Sequence, residues 1–206
     1  MRLRRPATIY VQEGTFVPDR SSLDEVDSRF TKLCKQNPAV YDGRILHVLG
    51  VHRNGHGGAN IHAVECAYRF YAVQTESYDL GIRPLGVKGI TMFETSYLWG
   101  KRSRHVHQYK QAWEYVPAGC VEPGKQPDDA ILQELQEEAG LAVTGNPIQV
   151  GIVFDEHART WELIYKLESS SGTVCKNDEY EELQWISGDK LPSGRSPIAE
   201  IMLGYA

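Results

Sequence analysis

WEYVPAGCVEPGKQPDDAILQELQEEAGL, residues 113–141, decides the fold of this 206-residue chain. Pro127 opens a helix, because proline suits the first helical position. Asp128 and Asp129 follow in the first turn, where the positive end of the helix dipole favours them. Gly140 fits the left-handed position just past the end. At about 100° per residue, Ile131, Leu132, Leu135 and Ala139 form one apolar stripe, which faces a core. Glu134, Glu137 and Glu138 are offset by three and four residues and share a different face. From Pro117 to Leu141 there are six carboxylates and one base, Lys125, while the whole chain has a formal charge of −5. Three glutamates within one turn repel one another by a few tenths of a kcal/mol per solvated pair. A hard divalent cation reverses that sign, because Mg²⁺ takes oxygen ligands and accepts phosphate beside them. On the glutamates alone, a solvated acidic face is the more common outcome, so the flanks decide.

Working outwards, the hydrophobic period is two on both sides of the helix. IQVGIVFDE (148–156) and TWELIYKLE (160–168) read as a strand hairpin, and EELQWI (181–186) as another strand. Upstream, RILHVLGV from 44, VECAYRFYAVQTE (64–76), LGVKGITMFE (85–94) and residues 106–116 are strand-like, and RNGHGGAN (53–60) is a loop. Residues 3–12 predict a short strand. SSLDEVDSRFTKLCKQ (21–36) predicts a helix with Leu23, Val26, Phe30 and Leu33 on one face. A last helix begins near Ser196-Pro197. Few helices and much antiparallel pairing give α/β or α+β around a mixed sheet.

The ordered run of motifs resembles the Nudix box of the nucleoside-diphosphate-X hydrolases, G-x5-E-x7-R-E-U-x-E-E-x-G-U, where U is a bulky apolar residue. Gly119 matches the first glycine, and Glu134, Leu135, Glu137, Glu138, Gly140 and Leu141 match the second half in register. WEYVPAG is similar to the strand that enters the box, and VGIVFDE, WELIYKLE and EYEELQWISGDKLP to the segments that follow it. The similarity spans roughly residues 64–192. It implies a Nudix-type α/β/α sandwich around a mixed sheet, with residues 1–60 as an N-terminal extension and 61–206 as the Nudix domain. It also implies Mg²⁺, with Mn²⁺ as the alternative, held by Glu134, Glu137, Glu138 and Gly119, and hydrolysis of a nucleoside diphosphate linked to another moiety. The general base is Glu134, or Glu181 or Glu182 in the later segment. Arg102 and Lys101, with Trp113, are the expected substrate contacts, and Tyr97 and Trp99 are further aromatic candidates. NPAVYDG (37–43) faintly resembles the UDP-sugar pyrophosphatase branch, so a nucleotide sugar is one expected substrate. A homodimer is an expectation from the resemblance alone.

Two positions depart from the box. Its first glutamate falls on Lys125 and its arginine on Gln133. In the family those two side chains pair and brace the loop against the helix. Both halves are replaced here, which avoids the stranded charge that losing one would leave. The rival reading is therefore a catalytically impaired Nudix-fold module that binds or regulates without hydrolysis.

Other chemistry fits less well. Gly119-x4-Gly124-Lys125-Gln126 lacks the hydroxyl residue that a phosphate-cradling P-loop needs, and Pro123 removes an amide from the loop. His52, His56 and His62, and His105 with His107, lack a supporting carboxylate or thiol at metal spacing. The net negative charge argues against a nucleic-acid partner. No apolar run is long enough for a membrane span. The N-terminus lacks a signal-peptide core, and the four cysteines are scattered, so a cytoplasmic protein with reduced thiols is expected.

Overall fold

The computed structural model describes residues 1–37, 40–106 and 108–206. The N-terminal part contains β1 (Thr8–Phe16), α1 (Leu23–Gln36), β2 (Arg44–Arg53), β3 (Ala59–Ala67) and α2 (Tyr68–Ala72). Its strands form a three-stranded sheet in the order β1–β3–β2, with β1 parallel and β2 antiparallel to β3. Val26 of α1 is sealed against Ile45, Cys66, Phe70, Val73 and Ile82, and Leu23 and Phe30 flank it.

The remaining elements are β4 (Leu85–Phe93), β5 (Ser96–Arg102), β6 (Trp113–Tyr115), β7 (Ala118–Cys120), α3 (Pro127–Ala139), β8 (Ile148–Asp155), β9 (Thr160–Glu168), β10 (Tyr180–Ser187) and α4 (Pro197–Met202). Their strands make a seven-stranded mixed sheet in the order β10–β5–β4–β9–β8, with β6 on β5 and β7 on β4. Among the described residues, only β4 and β9 pair in parallel within it. Successive strand residues face opposite ways, and the core divides accordingly. Leu85, Val87, Leu98, Leu163 and Tyr165 pack with Ala130, Ile131, Leu135 and Ala139 of α3. Ile90, Trp99, Tyr115 and Ile164 pack with Ile198, Ala199 and Met202 of α4. This is the expected mixed sheet between helices. Leu46, Val48, Ala59, Ile61 and Ala63 of the N-terminal sheet join the α3-side core, so the two sheets share one interior.

Local tertiary ties account for the differences from the sequence expectations. The first strand starts at Thr8, because Leu3 N donates to Val150 O at 2.9 Å and Arg4 N to Gly57 O at 2.7 Å. The strand expected over 64–76 ends at Ala67. There the Tyr68 amide donates to Gly43 O at 2.9 Å and the Arg69 amide to Asp42 Oδ1 at 2.8 Å, which turns the chain into α2. The strand expected over 106–116 shrinks to Trp113–Tyr115. Tyr109 and Gln111 adopt positive φ of 55° and 65°, incompatible with a strand.

Candidate active site

The turn from β7 into α3 presses the glutamates against backbone. A Cβ on Gly119 would lie 1.9 Å from Glu134 Oε1, so only glycine lets that carboxylate seat there. Glu138 is 0% exposed. Its Oε2 accepts from the Ala118 amide at 3.2 Å and the Tyr180 hydroxyl at 3.0 Å. Its Oε1 is buried with no partner among the described residues. Burial, then the charges of Glu179 and Glu134, hold the Glu138 pKa well above the ordinary carboxylate range. Burial, then Glu179 and Glu137, push Glu134 up to about 7. Glu137 is exposed and accepts from Gln133 Nε2 at 2.6 Å.

The two departures from the box meet. Lys125 Nζ donates to Gln133 Oε1 across the loop–helix junction. Gln133 then passes the contact on to Glu137. The lysine that replaces a glutamate and the glutamine that replaces an arginine therefore still brace the loop against α3, as an ion–dipole hydrogen bond.

Glu134 stands where two cavities join. One, about 630 Å³, lies between the N-terminal layer and the loop after β7, and is lined by Val40, Tyr41, Arg44, Ile45, Glu65, Tyr68, Glu122, Pro123 and Glu134 among others. The second, about 470 Å³, runs on past Gly119 and Glu134 over the sheet. Tyr41, Tyr68 and Cys120 belong to both. The second is lined by Lys88, Arg102, Gln108, Tyr109, Glu114, Asp155, Thr160, Glu162 and Glu179 among others. Five carboxylates with two cations make this lobe strongly acidic. Arg102 is bound to Glu179 at 2.8 Å and lies 3.7 Å from Glu114. Glu162 accepts the Thr160 hydroxyl at 2.5 Å, and Asp155 accepts the Tyr109 hydroxyl at 2.5 and 2.6 Å. Burial raises the pKa of Glu162, with Lys88 opposing.

The structure brings together Glu134, Glu138, Gly119 and Arg102 of the expected site, with Glu137 on the outer side of the same helix. Lys101 lies next to Arg102 on β5 and therefore faces the other way. Trp113 packs on the α4-side core and lines a separate cavity with Gln184 and Trp185. Trp99 is 0% exposed, with its ring 4.0 Å from that of Tyr115, and Tyr97 edges the same ring. These aromatics are core residues rather than stacking platforms. Glu181 is tied to Arg104 at 3.3 Å and Glu182 to Gln184, and neither lines the cleft. His62 stacks on Tyr10, His105 lies in a turn, and His107 is outside the described residues. Sequence reasoning missed Glu179, Lys88, Glu114, Glu162 and Asp155. Polar residues at 88 and 162, inside otherwise apolar strands, were the available signal.

Among the described residues, no group of three or more His, Cys, Asp or Glu side chains is placed to hold a metal ion. The donors at the α3 face are nonetheless all hard oxygens, and Glu138 Oε1 is a buried oxygen without a partner. That suits Mg²⁺, which takes one or two carboxylates and completes its shell with water and phosphate oxygens.

A family profile described as "NUDIX domain" matches residues 83–203. The chain belongs to the Nudix family. Solved structures of similar fold include the MutT NUDIX hydrolase from Burkholderia pseudomallei, 22% identical, with 58% of this chain and 95% of that one covered at a TM-score of 0.52. A NUDIX hydrolase from Nitrosomonas europaea is 18% identical over 58% of this chain and 66% of its own, at 0.51. Identities this low carry the fold alone. No curated protein matches this chain.

Proposed function

We propose that this chain hydrolyses a nucleoside diphosphate joined to a second moiety, in the presence of Mg²⁺ or Mn²⁺, by attack of water on the diphosphate. The observation that carries the reading is Glu138, a buried carboxylate with one oxygen unpartnered, beside Glu134 at the joint of a two-lobed cleft. Glu134 and Glu138, with the carbonyl of Gly119, would hold the cation, and Glu137, on the outer side of the same helix, would join them on turning its side chain inward. When bound, it supplies Lewis-acid polarisation of phosphoryl oxygens and an acidified water. An acidic cleft and an anionic substrate need such a cation between them, or their charges repel.

The chain's own residues do the rest. Ala118 N–H and Tyr180 O–H orient Glu138. Glu134 lines both lobes and receives no hydrogen bond among the described residues, so it is our proton acceptor for the attacking water. Glu179 is occupied by Arg102. The lobe beside the N-terminal layer, with Tyr41, Tyr68, Ile45 and Pro123, suits a planar base. The acidic lobe, with Asp155, Glu162, Thr160 and Gln108, suits the hydroxyls of a sugar. We therefore favour a nucleotide sugar. In this reading residues 1–60 extend a Nudix domain at 61–206 and help to shape its cleft.

All four cysteines are free thiols, and no helix of the described residues is long and apolar enough to cross a membrane. Both support a cytoplasmic setting. A homodimer belongs to the proposal on the family resemblance alone and is tested by light scattering. The test of function is phosphate release, coupled to a phosphatase, from UDP-glucose, ADP-ribose, NADH, diadenosine polyphosphates and nucleoside triphosphates with Mg²⁺. Turnover of one class, abolished by EDTA and in Glu138→Gln, is expected. Silence across the panel while a ligand still raises Tm would turn the reading to a binding module. The Lys125–Gln133 contact weighs against that module, because the feature that suggested impairment is a rebuilt brace.

A further inference from the structure

Lys88 is a lysine in the middle of a buried strand. Its residue is 7% exposed, yet it lines the acidic lobe of the cleft. Its Cα partner across the β4–β7 pair is Ala118, whose amide orients Glu138. The ammonium is thus one strand away from the box carboxylates.

An ammonium carries three donors, and burying them unused is costly. The only ion pair Lys88 makes among the described residues is a long one, 3.6 Å to Glu114 Oε1, and no hydrogen bond from Nζ is present there. Glu114 is already shared, since Ser196 Oγ donates to its Oε1 at 2.9 Å and Arg102 Nε lies 3.7 Å from its Oε2. The other carboxylates nearby have donors of their own. Glu162 takes the Thr160 hydroxyl, and Asp155 takes the Tyr109 hydroxyl together with the amides of His157 and Ala158 at 3.1 Å each. Arg102, the phosphate contact expected from sequence, is bound to Glu179 and lies over the Tyr180 ring at 5.4 Å. Lys88 has donors to spare, whereas Arg102 leaves its buried Nε without a hydrogen-bond partner among the described residues but is held in place by Glu179.

We propose that Lys88 is a substrate-binding residue whose ammonium takes a phosphoryl oxygen of the diphosphate. This rests on the reading of the cleft as a diphosphate site. The competing role is purely structural, a counter-charge for Glu114, Glu162 and Asp155.

Calorimetric titration of the full-length chain with the α,β-methylene analogues of ADP and UDP, with Mg²⁺ and separately with EDTA, tests it without turnover. Lys88→Met is expected to bind about 10- to 100-fold more weakly, the span of one lost charged hydrogen bond, and Lys88→Arg to recover most of that. Lys88→Met/Glu114→Gln removes both charges of the pair. Its Tm should rise back towards wild type while binding stays weak. An unchanged Kd in Lys88→Met, binding that recovers with Tm in the double variant, or no binding of either analogue to wild type overturns the proposal. Analogue binding by wild type together with silence across the substrate panel would count only against the hydrolytic reading.

Discussion

At the scale of single residues, Lys125 and Gln133 change meaning once their side chains are seen to touch. A lysine-to-amide hydrogen bond does the mechanical work of an ion pair and places a positive charge where Glu134 feels it. Loss of either partner frees the loop after β7 and lets Glu134 and Glu137 drift, and displacements of about 1 Å cost about 100-fold in well-oriented sites. Lys125→Ala and Gln133→Ala should each lower kcat by about tenfold, with little further loss when combined. Lys125→Glu/Gln133→Arg should recover activity as an ordinary ion pair. Additive losses, or a dead reversed pair, would show that the contact positions nothing. The glutamates themselves were legible in sequence, because helix periodicity is a local property. Glu179 and Lys88 were not, because what brings them to Glu134 is a loop path and a strand register.

At the scale of elements, α3 was read from residue 127 to its glycine stop, since its proline, first-turn acids and apolar stripe are all encoded within it. The turn to α2 and the shortening of β6 were not, because Asp42 and Asp155, distant in sequence, impose them. A similar long-range tie joins β2 to the entry of β4. Buried His47 accepts from the Arg83 amide at Nδ1, 3.0 Å away, with Phe16 edge-on at 4.9 Å. Burial holds its pKa below the ordinary imidazole value, and the charge of Arg83 adds to that. Below about pH 6.5 the unfolded chain therefore takes up a proton that the folded one refuses. This contribution is complete above that pH and is lost as pH falls towards the folded pKa. Urea midpoints from pH 5 to 8 should fall more steeply on the acid side in wild type than in His47→Gln. Parallel curves would refute this account.

At the scale of the whole molecule, the N-terminal layer belongs both to the core and to the wall of the cleft. It contributes Leu46, Val48 and Ile61 to the core under α3, and Tyr41 and Arg44 to the cleft. Removing residues 1–60 cuts β3 near its start and uncovers that core, so the truncated chain should aggregate. Tyr41, 72% exposed, is the cleaner probe. Tyr41→Ala should leave Tm unchanged and alter the ratio of kcat/KM between uridine and adenosine substrates. A folded truncation with unchanged turnover on every substrate would remove the layer from the reaction.

The cleft has two authors in the sequence. One wall comes from residues before 70 and the other from the loop and helix that carry the glutamates. Descent can therefore rewrite what the enzyme accepts without touching how it cuts. Relatives of this chain that differ in diet should diverge first around Tyr41 and Arg44, and keep Glu134 and Glu138 as they are.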